Sequence, residues 1–238
     1  MRIADSNRKR SYDQYCALAR ALDVLGERWT LLLVRELLLG PKRYKDLLAG
    51  LPGIGTNLLA ERLRHLDELG LIRQRALPPP AGSTVYELTE LGHGLEPAVM
   101  ELGRWGAHFL GEPRERDALQ PGWFFVSIRA TFRPELAAKL DESYEFRIAG
   151  EAFHVVIDGG RLTSGQGAAT DPDVVVSTDL ETFIALLAQR LEPADGLARR
   201  AVEIEGDPAA LTRFIDIFAW PVPEQTEAKD HRSERIRS

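Results

Sequence analysis

The sequence predicts an α+β chain of two domains: a mostly helical N-terminal domain closed by a two-stranded ribbon, then a C-terminal α+β domain on an antiparallel sheet. Three observations predict it. Apolar residues recur at helical spacing through residues 15–69 and at spacing two through 144–157. Breaks bearing proline and glycine, PPPAGS at 78–83 and GEPRERDALQP at 111–121, part the helices from the first ribbon and the first domain from the second. Charge is also unevenly shared: residues 1–111 hold 15 Lys+Arg against 13 Asp+Glu, residues 112–238 hold 15 against 23, and the whole chain stands at −6.

At 238 residues, 44% hydrophobic and 28% charged, the chain is long enough for two cores. No uncharged apolar run approaches the roughly 20 residues of a membrane span. The basic start MRIADSNRKRS lacks the apolar centre of a signal peptide, so a cytoplasmic protein with no membrane partner is expected. A single cysteine, Cys16, excludes an internal disulfide and a multi-cysteine zinc site, although it can cross-link two chains. His65, His93, His108, His154 and His231 show no paired metal-ligand spacing. Gly53-Ile54-Gly55 begins like a dinucleotide fingerprint, but Leu58 stands where the next glycine belongs and no strand precedes it. Ser164 in LTSGQG has no recognisable base. The expectation is a protein that is not an enzyme, with no catalytic residue, metal or cofactor.

Taken in order, residues 1–11 are polar and read as a mobile arm, whose Arg8, Lys9 and Arg10 form a solvated tail or touch phosphates. Apolar residues at 15, 18, 22 and 25 describe a first amphipathic helix, and residues 27–39 a second that is too apolar to be exposed. Gly40-Pro41 ends it. Residues 43–51, RYKDLLAGL, form a short third helix, and Pro52-Gly53 turns the chain into a fourth over 55–69. There Leu58, Leu59, Leu63, Leu66 and Leu69 make one buried face, Thr56 or Asn57 caps the first turn, and Asn57, Glu61, Arg62, Arg64 and His65 face outward. Strands follow at 72–75, with Arg73 and Arg75 on the wet side, and at 84–89. Helix, turn, helix and a two-stranded ribbon make a winged helix-turn-helix, the shape that lays one helix in the roughly 12 Å major groove of double-stranded DNA. On that frame Arg62, Arg64 and His65 are either candidate contacts at base edges or a solvated helix face, Thr56 and Asn57 candidate contacts at base edges or phosphates, and Lys42, Arg43, Lys45, Arg73 and Arg75 candidate contacts at phosphates.

After the ribbon, residues 90–110 carry Leu91, Leu95, Val99, Leu102, Trp105 and Phe109 at near-heptad spacing. So long an apolar helix after a small domain needs a second surface, and a homodimer supplies it. Residues 112–121 read as a linker. Beyond it, 123–132 and 134–140 look helical, 144–148 and 152–157 alternate as strands, and Asp158-Gly159-Gly160 makes a hairpin turn. A further strand is expected at 174–177, a helix at 180–189, a short strand at 201–205 and a closing helix at 208–219 capped by Asp207. The expected division is an arm at 1–11, a DNA-binding and dimerisation domain at 12–111, a linker at 112–121, a second domain at 122–220 and a disordered tail at 221–238.

Two stretches carry resemblances. CALARALDVLGERW, the following TLLLVRELLLGPKRYKDLLAGLPGIGTNLLAERLRHLDELGLI, and YELTELG after the wing resemble the HxlR family of bacterial winged-helix regulators over nearly all of residues 12–110. Two departures are Ala17, where proline commonly follows the cysteine, and the short PPPAGS wing. The resemblance implies a dimeric repressor or activator of transcription. Some members sense electrophiles or oxidants through a cysteine at this position, which makes Cys16 a candidate redox sensor beside its other reading as a small buried hydrophobe. YEFRIAGEAFHVVIDGG, DPDVVVSTDLETFIALL and VEIEGDPAAL are similar to sterol carrier protein type two-like domains, which implies an apolar cavity between sheet and helices. Phe124, Phe125, Ile128, Phe132, Phe153, Phe183, Leu187, Phe214 and Phe218 are then either core or the lining of a pocket for an apolar small-molecule effector. The competing reading of the whole chain is a carrier of lipid or another hydrophobic ligand, with the winged helix serving dimerisation.

Overall fold

The computed structural model describes residues 11–78, 82–110, 113–218 and 220. Residues 1–10 of the expected arm, the wing tip at 79–81 and the expected tail at 221–238 lie outside them. In the N-terminal half α2 (Thr30–Leu38), α3 (Tyr44–Gly50) and α4 (Thr56–Glu68) each bury a leucine stripe and converge on Leu33, Leu37, Leu47, Leu59, Leu63 and Leu66, whereas α1 (Ala17–Leu25) touches this core only through Val24 and Leu25 and leaves Leu18 and Leu22 of its expected apolar face exposed. α2 starts three residues later than its apolar pattern, because Trp29 before it sits in the left-handed region at φ 80° and cannot continue a helix.

The ribbon gains a third strand. β1 (Lys42–Arg43) pairs antiparallel with β3 (Thr84–Leu88), which also pairs with β2 (Ile72–Ala76), in the order β1-β3-β2. A strand of two residues carries no readable period, so the sequence pattern shows two strands only. The expected single helix over 90–110 is two: α5 (Glu90–His93) and α6 (Glu96–Ala107). Pro97 at the start of α6 has no N–H to give to the carbonyl of His93 and its ring crowds that carbonyl, which breaks the helix there.

The C-terminal half opens with α7 (Pro121–Thr131) and the short α8 (Pro134–Ala137), then builds β4 (Asp141–Ile148), β5 (Glu151–Asp158), β6 (Arg161–Gln166) and β7 (Val174–Thr178). α9 (Leu180–Leu187), α10 (Pro193–Ala198), β8 (Val202–Glu205) and α11 (Ala209–Phe218) complete it, and Asp207 caps α11 through the Ala209 N–H at 3.0 Å. The strand order is β6-β5-β4-β7-β8. It corrects the expected antiparallel sheet to a mixed one, since β7 runs parallel to β4 with Tyr144 opposite Val174. After the β4–β5–β6 meander the chain returns along the free side of β4 in the same direction, a choice that strand periodicity does not encode. Both hairpins are tight, with positive φ at two successive residues: Ala149 and Gly150, then Gly159 and Gly160. Tyr144, Phe146 and Ile148 of β4, with Phe153, Val155 and Ile157 of β5, point to one face and meet α7, α9 and α11 there.

α7 belongs to both cores. Phe125 and Ile128 pack with the sheet, whereas Val126 and Ala130 pack with α2, α4 and α6, and Leu39 touches both clusters.

Candidate nucleic-acid interface

The second helix of the helix-turn-helix begins without a side-chain cap. Gly55 is the N-cap, so Thr56 and Asn57, expected to cap, lie inside the first turn with their side chains exposed. The end is fixed from below instead: the Tyr44 hydroxyl on α3 donates to the Thr56 carbonyl at 2.7 Å. Along the outer face of α4, Asn57, Ala60, Glu61 and Arg64 follow one another at spacings of three and four and are exposed. Uncapped N–H groups at a helix start favour a negative partner.

Arg62 does not share that face. It is 6% exposed, and its guanidinium donates to Glu27 at 2.8 Å, to Glu61 at 3.1 Å and to the Arg28 carbonyl at 3.4 Å. Its expected place among the base-reading residues is therefore corrected: one position from Glu61 on a helix is a turn of 100°, which carries Arg62 under the α1–α2 loop. His65 is half-buried on the flank, and Arg64 is exposed. Of the expected phosphate contacts, Lys45 is exposed and Arg43 half-buried. Lys42 is only 16% exposed and lies 3.5 Å from the buried Glu36 carboxylate, so its charge is engaged within the fold. On the wing, Arg73 and Arg75 donate to the two oxygens of Glu87 at 2.7 and 2.8 Å. Those bonds, Arg75 first, hold the Glu87 carboxyl below the usual carboxylate range. Both arginines stay exposed, and Gln74 between them is an exposed polar group on the same strand that the sequence reading did not name.

Cys16 is the N-cap of α1 and is exposed, not a buried hydrophobe. Backbone N–H groups of Ala19 and then Leu18 lower its thiol pKa, whereas Arg20 turns to Asp23 and Ser11. The candidate ligand residues lie together, but ring on ring. Phe125 stacks on Phe153 at 4.1 Å and on Phe183 at 5.5 Å, Phe214 meets Phe218 at 4.4 Å and Phe146 at 4.7 Å, and Phe132 meets Phe218 at 5.5 Å. Ile128 and Leu187 are fully buried with them, and Phe124 stacks on Trp220 at 5.7 Å near the edge. These side chains are first of all a packed core. Among the described residues no group of three or more His, Cys, Asp or Glu is placed to hold a metal ion, and no helix is long and apolar enough to cross a membrane.

A buried tri-helical core, an exposed helix after a short turn and an antiparallel wing define a winged helix-turn-helix protein with an α+β domain attached. The HxlR-like helix-turn-helix model matches residues 24–114, and the SCP-2 sterol transfer family model matches residues 128–219. The chain is 35% identical over 89 residues to the HTH-type transcriptional regulator YodB of Bacillus subtilis (strain 168), covering 37% of this chain and 80% of the relative. It is 40% identical over 97 residues to the uncharacterized HTH-type transcriptional regulator MT3179 of Mycobacterium tuberculosis (strain CDC 1551 / Oshkosh), covering 41% of this chain and 61% of that one. Among solved structures, the reduced form of YodB from B. subtilis aligns at 31% identity over 42% of this chain and all of that one, with a TM-score of 0.37. This chain belongs to the HxlR-like helix-turn-helix family, and the part that follows the winged helix is similar to the SCP-2 sterol transfer family.

Proposed function

We propose that the chain is a transcriptional regulator that reads double-stranded DNA as a homodimer and carries out no chemistry on it. The observation that carries the reading is α4: its start is anchored by Tyr44 and its inner side by Arg62, while Asn57, Ala60, Glu61 and Arg64 are left outward. An outward polar face on a fixed helix is what a major groove requires, with Arg64 at base edges and Lys45, Arg73 and Arg75 beside the backbone. Dimerisation is supported by apolar side chains with no cover in one chain. Tyr15 just before α1 and Leu18 within it are 107% and 68% exposed, and Trp105 on α6 and Phe109 just after it are 64% and 71% exposed. Two recognition helices related by a two-fold axis then meet half-sites about 34 Å apart, or a multiple of that.

In this reading residues 12–111 read DNA and dimerise, 112–121 connect, and 122–220 receive an effector or reinforce the dimer. An apolar effector entering the second domain has to part rings already in contact, so its entry changes the surroundings of Trp123 and Trp220. Their fluorescence reports it, and a flat titration across lipids, acyl-CoAs and aromatics removes the effector from the proposal. The function itself is tested by footprinting purified protein on the DNA upstream of its own coding sequence at two salt concentrations, and then by genome-wide selection of bound fragments. A protected, near-palindromic site is expected. Binding without sequence preference in both experiments refutes sequence-specific regulation and returns the carrier reading, in which the winged helix only dimerises.

A further inference from the structure

The joint between the two halves is built on a buried carboxylate. Glu36 on α2 is 1% exposed in the middle of a leucine-rich helix. Its Oε1 accepts from the Trp123 indole N–H of α7 at 2.7 Å and from the Arg35 guanidinium at 2.9 Å. Oε2 lies 3.5 Å from the Lys42 ammonium on β1, the strand that leads directly into α3. At the far end of α3, a Cβ added to Gly50 would fall 2.5 Å from the same Oε2. The Glu36 carboxylate thus pairs with the strand that enters α3 and packs closely against Gly50, the last residue of that helix. Two further contacts join the halves here: the Arg35 guanidinium lies 4.2 Å from the centre of the Trp123 ring, and Gln120, the N-cap of α7, donates to the Ala49 carbonyl on α3 at 3.0 Å. From α3 the chain of contacts continues, through the Tyr44 hydroxyl, to the Thr56 carbonyl at the start of α4.

The other end of α7 is fastened as well. Arg129 bridges Glu96 on α6, at 2.9 Å, to the Ser164 hydroxyl and carbonyl on β6, at 2.9 and 2.6 Å, and Arg104 on α6 donates to the Ala130 carbonyl at 2.8 Å. α7 is thereby held to the winged helix at both ends and by its apolar side between them. A buried carboxylate is costly unless donors satisfy it, and the Trp123 indole N–H from α7 joins Arg35 and Lys42 in doing so at Glu36.

We infer that Trp123 is a positioning residue for DNA recognition: through Glu36 it braces α3, at Lys42 just before it and at Gly50 where it ends, and α3 in turn holds the start of α4 through Tyr44, so α7 sets how that helix is presented. It rests on the DNA-reading function proposed above, and the joint itself can be tested apart from it. A movement of α7 in the second domain would then reach α4 without crossing a flexible linker. The inference differs from a merely structural role in one respect: removing a single hydrogen-bond donor on α7 has to be felt in α3 and at the start of α4.

The test uses the full-length protein with Trp123→Phe, which removes the donor and leaves a ring under Arg35, and Tyr44→Phe, which cuts the last link only. Amide hydrogen exchange is read first. Trp123→Phe is expected to speed exchange at least tenfold in residues 44–50 and at 56–60; acceleration confined to residues 120–131 overturns the inference, whatever the protein binds. DNA binding is read second, at a temperature where all variants are folded. Trp123→Phe is expected to weaken specific binding about tenfold and binding to a random duplex less than twofold, and the double variant no more than the worse single one. Equal losses on both DNAs, or multiplied losses in the double variant, overturn it. Wild-type protein with no sequence preference would refute the DNA-reading proposal while the exchange result still decides the joint.

Discussion

Truncating Arg62 and Arg64 in turn separates a side chain that holds α4 from one proposed to meet DNA. Arg62→Ala removes a guanidinium that is 6% exposed and breaks its 2.8 Å bond to Glu27, whose side chain keeps 30% exposure. Breaking a fully buried pair costs roughly 3–5 kcal/mol. Water reaching Glu27 recovers part of that, so the loss expected here is about 2–3 kcal/mol, including the packing of the arginine stem. In a chain of this size each kcal/mol moves Tm by roughly 2–4 °C, which gives a fall of roughly 4–12 °C. Arg64→Ala removes an exposed side chain two residues further along α4, and its stability should stay within about 0.5 kcal/mol of the parent. At the operator the order reverses: loss of an arginine–guanine contact costs roughly 1–3 kcal/mol, so Arg64→Ala should weaken specific binding about 5- to 150-fold. Thermal melts by circular dichroism and anisotropy titrations on the footprinted site measure the two quantities. An Arg62→Ala protein that melts like its parent yet loses specific binding selectively would refute the argument, because a residue carrying the fold cannot be removed without cost.

Three further outcomes are expected. Glu87→Gln should free Arg73 and Arg75 from their shared partner and steepen the fall of DNA affinity with salt by up to about two released counterions; an unchanged slope would show that the wing arginines do not meet phosphate. Because Glu87 titrates below its ordinary range in the folded protein, its contribution to the wing is present at neutral pH and is lost as pH falls through that lowered value, which urea melts between neutral and acid pH will register. Cys16, with its thiol pKa lowered by the Ala19 and Leu18 N–H groups, should react with iodoacetamide at neutral pH faster in the folded than in the urea-unfolded chain; equal rates, or a Cys16→Ser variant with an unchanged response to diamide and peroxide, would remove it as a redox sensor. Trp105→Glu, at a side chain 64% exposed on α6, should shift micromolar protein from dimer to monomer in sedimentation velocity, and an intact dimer would place the two-fold interface elsewhere.

The sequence alone determined which segments fold and which way they face, where the pattern is periodic. The leucine stripe of α4 and the alternation in β4 and β5 were legible because a helix repeats its face every 3.6 residues and a strand every two, whatever surrounds them. The winged helix was legible for the same reason, as an ordered series of such local patterns. β1 was not, since two residues have no period, and neither was the parallel pairing of β7 with β4, since a strand's neighbour is chosen by the route of the chain. The site divides along the same line. That Arg62 and Arg64 lie on α4 follows from spacing, but only the α1–α2 loop folding over one of them made Arg62 an anchor and left Arg64 outward. One signal was on the page: an acid, Glu36, inside the apolar run TLLLVRELLL implies a buried charge that needs partners. That Trp123, 87 residues further on, is the partner required the tertiary structure, because a hydrogen bond between distant segments depends on geometry that no local pattern records.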